Sequence, residues 1–388
     1  MQPLLSALSP AHFRFGGTAS DCLVFRENLT SPAYGNSLCG PEPHSFNFTG
    51  DRLDTLYAFV KDAGLNFIFN VNLFIRNDSN SSFDPSNAKQ LLDYASARHY
   101  SMDFELGNEP DGNYKRGFHV NGTQIGQDYG TFRNLLNSYP IYKNSKLVGI
   151  DLAWTANNFS LDMFTDFLKA GGGQQINAMT FHQYYMDCST SRLEQFLDPR
   201  QMDNMERFIK VEQQFNLTLW LGETASCWAD TNNSLSLSFA SGFLWLDELG
   251  LGAKTGLDVV IRQELRSAVD GLLDFSTYQP KPDYWISFLH KKLVGQKVLN
   301  VTITPNNNTF LRMYAAPHTN GNDLVVYGQL SSSEFSIVDF PAVSRQITAY
   351  ILTPGEPRNL ASETVNIFKA LRPHCQFKSL HIAYSSLC

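Results

Sequence analysis

Short apolar runs alternate with helix-length amphipathic segments over about the first 260 residues, and no other feature of the chain constrains its fold as tightly. The runs fall at 13–15, 65–71, 102–106, 147–152, 178–185, 217–222 and 257–263. Between them, apolar residues at helical spacing predict helices over 51–63, 86–99, 124–138, 159–170, 201–215 and 235–249. In 51–63, for example, Leu53, Leu56, Tyr57, Val60 and Ala63 share a face and Gly64 ends the pattern. Strand alternating with helix reads as a parallel α/β fold, because parallel neighbours need a crossover between them. Seven strands are counted where a closed barrel needs eight, and the missing one would come first. Past residue 295 the rhythm changes to short strands at 298–304, 309–315, 324–330, 335–339, 346–352 and 364–370, broken by Asn, Gly, Pro and Ser. With no long helix among them, these predict a small β-domain, a sandwich. The expected division is residues 1–294 as the barrel domain and 295–388 as the β-sandwich domain.

Charge and composition remove several function classes. The chain of 388 residues carries 30 basic and 37 acidic side chains, a net charge of −7. Its only adjacent basic pairs are Lys115-Arg116 and Lys291-Lys292, so no basic face for a nucleic acid is visible. No apolar stretch approaches the roughly 20 residues that span a bilayer. The six cysteines, at 22, 39, 188, 227, 375 and 388, contain no CxxC pair, which argues against zinc. Cys22 and Cys39 are close enough in sequence to bridge a short loop in an oxidising compartment, although the pairing is not readable. Asn-x-Ser/Thr sequons stand at Asn28, Asn47, Asn77, Asn80, Asn121, Asn158, Asn216, Asn232, Asn300 and Asn307. That density points to a glycosylated, secreted chain, the alternative being an Asn-rich cytosolic protein. Residues 1–6 (MQPLLS) lack the basic start of a signal peptide.

Two carboxylates stand at strand ends. The third strand runs into Phe104-Glu105-Leu106-Gly107-Asn108-Glu109-Pro110, and the sixth into Leu219-Trp220-Leu221-Gly222-Glu223-Thr224. Barrel enzymes keep their active sites at the carboxyl ends of the strands. Two carboxylates projecting there suit glycosidic cleavage, one protonating the leaving oxygen and the other attacking the anomeric carbon. The plainer alternative is that each glutamate caps the next helix or pairs with an arginine.

These segments belong to a longer series. Arg14-Phe15-Gly16-Gly17-Thr18, the Asn108-Glu109-Pro110 segment, Phe167-Leu168-Lys169-Ala170-Gly171-Gly172, His182-Gln183-Tyr184-Tyr185 and the Gly222-Glu223-Thr224 segment occur in order. Val259-Val260-Ile261-Arg262-Gln263, Pro282-Asp283-Tyr284-Trp285 and Lys291-Lys292-Leu293-Val294-Gly295 follow. Together they resemble the heparanase family of retaining endo-β-glucuronidases, glycoside hydrolase family 79, which includes leech-type hyaluronidases. The resemblance implies a (β/α)8 TIM barrel with a C-terminal β-sandwich, and a secreted or lysosomal glycosaminoglycan hydrolase that uses no cofactor or metal. Glu109 matches the family's acid/base and Glu223 its nucleophile. Asn108 matches the residue that holds the 2-hydroxyl, and Tyr184 a tyrosine against the nucleophile. Thr18 and Gln263 match cleft positions, with barrel-mouth packing as the alternative for Tyr184, Thr18 and Gln263. His182 either holds a catalytic neighbour or is an inner-barrel histidine.

The departures bear on substrate. After the nucleophile, where heparanases hold the glucuronate carboxylate with a Tyr and glycine amides, this chain reads Ala225-Ser226-Cys227-Trp228-Ala229-Asp230. A further family tyrosine falls near Asp270-Gly271. Arg262 or Arg266 would have to supply the contact instead. Basic clusters for heparan sulfate are absent, and 155–159 occupies one such place. The processed linker is reduced to roughly residues 26–46, so activation by its excision is not supported. Asn108-Glu109-Pro110-Asp111 and Gly271-Leu272-Leu273-Asp274 resemble the hyaluronidase branch, and an unsulfated polymer suits a net charge of −7. The reading is therefore an endo-β-glucuronidase acting on hyaluronan or heparan sulfate, with an inactive glycan-binding relative as the alternative. Residues 1–12 read as a helix, so a family member should have one more strand ahead of it. The sequence thus predicts a truncated chain of low stability and activity. Supplying an upstream segment, in cis or as a peptide, should raise both the melting temperature and turnover in a side-by-side assay.

Overall fold

A computed structural model describes residues 1–27, 46–77, 81–112, 120–153, 158–228, 234–303, 310–330, 336–338, 347–372 and 380–382. The first half alternates as its periodicity requires. Strands β1 (His12–Phe15), β2 (Leu23–Arg26), β3 (Phe46–Thr49), β4 (Asn66–Val71), β5 (Asp103–Leu106) and β6 (Leu147–Leu152) are followed by β7 (Ala178–Asp187), β8 (Leu219–Trp228) and β9 (Leu257–Arg262). Helices α1 (Gln2–Ser6), α2 (Gly50–Asp62), α3 (Ser86–Ala97), α4 (Gly122–Asn137) and α5 (Asn158–Lys169) separate the earlier strands. Then come α6 (Leu193–Phe196), α7 (Arg200–Glu212), α8 (Ser241–Thr255) and α9 (Pro282–Leu293). One seven-stranded sheet takes the order β1-β4-β5-β6-β7-β8-β9, the strands of a TIM barrel in sequence order. β2 and β3 pair with each other outside it.

Register explains why these strands read as continuous apolar runs. β1 pairs with β4 as His12 opposite Asn66 through Phe15 opposite Phe69, and β4 with β5 as Ile68 opposite Asp103 through Val71 opposite Leu106. Side chains alternate between the barrel interior and the helical layer, so both faces of each strand are covered. Ile68, Val148, Ala178 and Trp220 form a buried cluster inside, with Val259 and Ile261 against it. His12 joins it from β1, its ring 4.9 Å from that of Trp220. On the other face Phe104 is fully buried and meets Phe132 and Tyr142 edge-on at 5.9 and 5.2 Å.

The described residues group into two units. The first is Met1–Gln183 with Val211–Glu223 and Asp258–Ile261, and the second is Tyr184–Lys210 with Thr224–Leu257 and Arg262–Cys388. In the second, β10 (Arg266–Ser267) and β11 (Leu273–Asp274) pair within the loop that follows β9. After α9 come β12 (Leu311–Pro317), β13 (Leu324–Leu330), β14 (Ser336–Val338), β15 (Ile347–Pro354), β16 (Val365–Arg372) and β17 (Leu380–Ile382). They form three antiparallel ladders, β12 with β13, β14 with β17 and β15 with β16. A disulfide joins Cys188 to Cys227 within this unit. Cys22 is also disulfide-bonded, and Cys39 lies outside the described residues.

Two sequence expectations need correction. The helix expected over 235–249 is a 3-10 turn at Ser234–Leu237 followed by α8 from Ser241. The amides of Phe239 and Ala240 donate to Ser362 and Leu360 O at 2.8 and 3.0 Å, and the hydroxyls of Ser238 and Ser241 bond the nearby backbone. Those bonds compete with the helix ladder and delay its start. In the strand expected over 298–304, the described part only bridges, Leu299 to Ala315. Val298 and Leu299 are both exposed, so neither face of the segment is buried. Residue 304 lies outside the described residues. For the core itself, Phe104→Ala should cost about 3–5 kcal/mol, read as a lowered midpoint in urea with an unchanged slope.

Candidate active site

The interior of the barrel changes chemistry one side chain above its apolar cluster. Two residues past His12 stands Arg14, two past Ile68 stands Asn70, and Glu105, Thr180 and His182 project from the neighbouring strands. Arg14 is the hub. Its Nε donates to Glu105 Oε2 at 2.7 Å, its Nη1 to Glu223 Oε2 at 2.8 Å, and its Nη2 to Asn108 Oδ1 at 2.9 Å and Asp151 Oδ2 at 3.1 Å. Asn70 Nδ2 closes the ring by donating to Glu105 Oε2 at 3.1 Å, Asp151 Oδ2 at 3.2 Å and Gly107 O at 2.9 Å.

Local sequence turns Asn108 and Glu109 out of β5. Gly107 takes φ +82°, and a Cβ there would lie 2.7 Å from Leu73 Cβ, so only glycine fits. Asn108 N donates to Asp21 Oδ1 at 3.0 Å and Glu109 N to Asp151 O at 3.0 Å, which fixes both residues. Glu109 itself sits at φ +46°, as Asp151 does at +54°. Non-glycine residues in that region carry about 1–3 kcal/mol of strain and cluster at functional sites. From β7, His182 Nδ1 lies 2.9 Å from Glu109 Oε1 and 4.0 Å from Glu223 Oε1, while its Nε2 lies 3.7 Å from Asp151 Oδ1. Glu109, His182 and Glu223 each offer an atom within 4.8 Å of the other two. The Glu109 side chain is 18% exposed and that of Glu223 9%.

The charges interlock. Burial works against the Arg14 cation, but Glu105, Asp151 and Glu223 hold it well above its ordinary range. Burial lifts Glu105, with Arg14 opposing. Asp151 is buried as well, yet Arg14 and His182 hold it below the usual carboxylate range. For His182, burial favours the neutral ring, but Glu223, Asp151 and Glu109 outweigh it and raise the imidazole to about 10. The three carboxylates thus favour the charged form of His182, whose ring lies between Glu109 and Asp151.

Of the residues singled out in the sequence, Asn108, Glu109 and Glu223 come together in one constellation. Thr18 follows Gly17, where a Cβ would lie 3.9 Å from Glu223 Oε2. Tyr184, Arg262 and Gln263 belong to the second unit, where Gln263 N donates to Thr224 O at 2.7 Å. Arg262 lies inside the second unit. Its side chain is buried, with Nη2 bound to Asp283 Oδ2 at 3.0 Å and Asp270 nearby. Residues 229 and 230 lie outside the described residues. Sequence reasoning missed Arg14, Asn70, Glu105 and Asp151 as members of the site. Their signal is a polar or charged residue among apolar neighbours within or at the end of a strand, as in Phe13-Arg14-Phe15 and Ile150-Asp151-Leu152.

Comparison with known proteins fits this arrangement. The family model described as glycosyl hydrolase family 79, N-terminal domain, matches residues 1–250. The chain belongs to glycosyl hydrolase family 79. It is 32% identical to a heparanase of Bos taurus over 421 residues, covering 95% of this chain and 76% of the relative. It is 30% identical to a hyaluronoglucuronidase of Hirudo nipponia, covering 93% and 80%. It is also 31% identical to inactive heparanase-2 of Homo sapiens, covering 77% and 60%. Among solved structures, an arabinofuranosidase from Xanthomonas axonopodis pv. citri superposes with a TM-score of 0.70 at 12% identity, over 98% of this chain and 86% of that one. A 4-O-α-L-rhamnosyl-β-D-glucuronidase from Fusarium oxysporum gives 0.65 at 14%, over 94% and 81%. These structures share the barrel fold, and the family 79 chain is a glycoside hydrolase.

The imidazolium gives a stability test. A ring raised to about 10 in the fold, against about 6.5 unfolded, adds stability that is full below about pH 6.5 and lost as pH rises through about 10. The denaturation midpoints of the parent chain and His182→Asn should therefore differ most at pH 6 and converge by pH 10. A difference that does not change with pH would contradict the charged ring.

Proposed function

We propose that this chain is a retaining endo-β-glucuronidase that cleaves a glycosaminoglycan by double displacement. Glu109 is its acid/base and Glu223 its nucleophile. The observation that carries this is the approach of the two carboxylates to within 4.8 Å. Retaining enzymes hold the pair about 5–5.5 Å apart, whereas inverting enzymes leave about 6.5–9.5 Å for a water. Arg14 holds Glu223 Oε2 and His182 lies 4.0 Å from Oε1, which orients the carboxylate that attacks the anomeric carbon. His182 donates from Nδ1 to Glu109 Oε1, which fixes the acid's orientation while its proton passes to the leaving oxygen. With the leaving sugar gone, Glu109 takes a proton from water, and that water attacks the glycosyl–Glu223 ester. Asn108, whose Oδ1 accepts from Arg14, is the proposed contact to the 2-hydroxyl. Thr18, Tyr184 and Gln263 remain proposed cleft residues, and residues 1–294 and 295–388 the proposed catalytic and β-sandwich domains.

The polymer is hyaluronan or heparan sulfate, the first favoured by the net charge of −7. We place the protein outside the cytosol, secreted or lysosomal. The described sequon residues Asn47, Asn77, Asn121, Asn158, Asn216 and Asn300 are all partly or largely exposed, and Cys188–Cys227 suits an oxidising compartment. Among the described residues no helix is long and apolar enough to cross a membrane. The relative named inactive heparanase-2 supports a second reading, a glycan-binding protein without turnover. Its weakness is that this chain keeps both carboxylates in the retaining spacing.

Digestion of hyaluronan and heparan sulfate side by side, with mass analysis of the fragments, separates these readings. New reducing ends on glucuronate with the β configuration retained are expected, and binding without new ends would establish the second reading. Glu223→Ala should lower turnover by about 10⁴-fold or more, the scale on which loss of a nucleophile acts, with little change in polymer binding. Activity within tenfold of the parent would remove Glu223 from the role.

A further inference from the structure

The loop after β9 presents a feature that this chemistry leaves unused. Arg266 lies against two aromatic side chains, its guanidinium carbon 4.5 Å from the ring centre of Phe275 and 4.4 Å from that of Tyr278. Both rings face solvent, Phe275 being 53% and Tyr278 39% exposed. Arg266 Nε donates to Phe275 O at 2.6 Å, and among the described residues its two terminal nitrogens have no hydrogen-bond partner. Exposed rings contribute little to a core, so two of them around one cation need another explanation.

The loop is constructed to hold them. Arg266 pairs opposite Leu273 where β10 meets β11. Gly271 permits that crossing, since a Cβ there would come 2.4 Å from Ser267 N. Asp274 Oδ1 accepts from the amides of Ser276 and Thr277 and from the Thr277 hydroxyl, at 2.8–3.0 Å, and so closes the turn. Asp274 Oδ2 is bound by Lys281 at 3.1 Å, so this acid pairs with the lysine and leaves Arg266 unneutralised. Tyr278 is held at φ +60°, an unusual conformation for a bulky residue, and its amide returns to Asp274 O at 3.1 Å. Arg262, the other arginine of this stretch, is buried against Asp283.

We infer that Arg266, Phe275 and Tyr278 form a binding site for a hexuronic-acid residue of a polysaccharide. The apolar face of the sugar stacks on an exposed ring, and the terminal nitrogens of Arg266 clamp the carboxylate in two-point fashion. Held against both rings and by the bond from Nε to Phe275 O, the guanidinium has less side-chain freedom to lose on binding. The identity of the polymer rests on the function proposed above.

Titration calorimetry tests the site with the full chain carrying Glu223→Gln, so that the ligand survives. The probes are a hyaluronan decasaccharide and the same oligomer with its carboxyls reduced to alcohols. Arg266→Ala should weaken the native oligomer about tenfold and leave the reduced one unchanged. Phe275→Ala combined with Tyr278→Ala should weaken both. All three side chains are partly or largely exposed, so melting temperatures should stay within a few degrees of the parent. Unchanged affinity in Arg266→Ala, or equal losses on both oligomers, would overturn the inference. Absence of new reducing ends from the unsubstituted chain would instead overturn the glycosidase reading, and the titration would still report on the site.

Discussion

One guanidinium organises the centre of this barrel. Arg14 meets Glu105, Asn108, Asp151 and Glu223, which arrive on three other strands and a strand-end turn, and it is buried almost completely while doing so. Three carboxylates placed this close would repel one another, and removing each from water carries a cost of several kcal/mol. A single cation with a planar set of donors answers all three, which an ammonium with its compact charge would do less well. The rest of the site follows from this. Arg14 orients Asn108 through its Oδ1 and Glu223 through its Oε2.

The barrel can afford this polar layer because another layer carries the packing. Ile68, Val148, Ala178 and Trp220 fill the interior below it, and the outer faces of the strands bury residues such as Phe67, Phe69 and Phe104. The result is a division along the barrel interior, apolar at Ile68, Val148 and Ala178 and polar two or more residues further on, at Asn70, Thr180 and His182. Strain is placed in the same way. Glu109 and Asp151 take left-handed backbone conformations at the strand ends, where they bring functional oxygens inward.

Much of this was legible in the sequence, for identifiable reasons. Strand and helix positions followed from apolar spacing, since burial on both strand faces leaves a strong local signal. The two glutamates followed from their place just after strand residues. Arg14 was visible within its motif, but its role was not, because its partners lie 91 to 209 residues away along the chain. The burial of Arg262 was hidden for the same reason, as it depends on Asp283 arriving with α9. The start of α8 was misplaced because two backbone amides are captured by residues 360 and 362, which no local pattern reveals.

The apolar cluster lower in the barrel also bears on how material moves. Ile68, Val148 and Trp220, with Val259 and Ile261 against them, pack below the carboxylates. On the proposed chemistry, the water that releases the glycosyl–enzyme ester is activated by Glu109, the same group that protonated the departing sugar. Any hydroxyl-bearing molecule lingering there competes for the same approach to the anomeric carbon. The balance between cutting a chain and joining two chains is then a question of how quickly that one position empties.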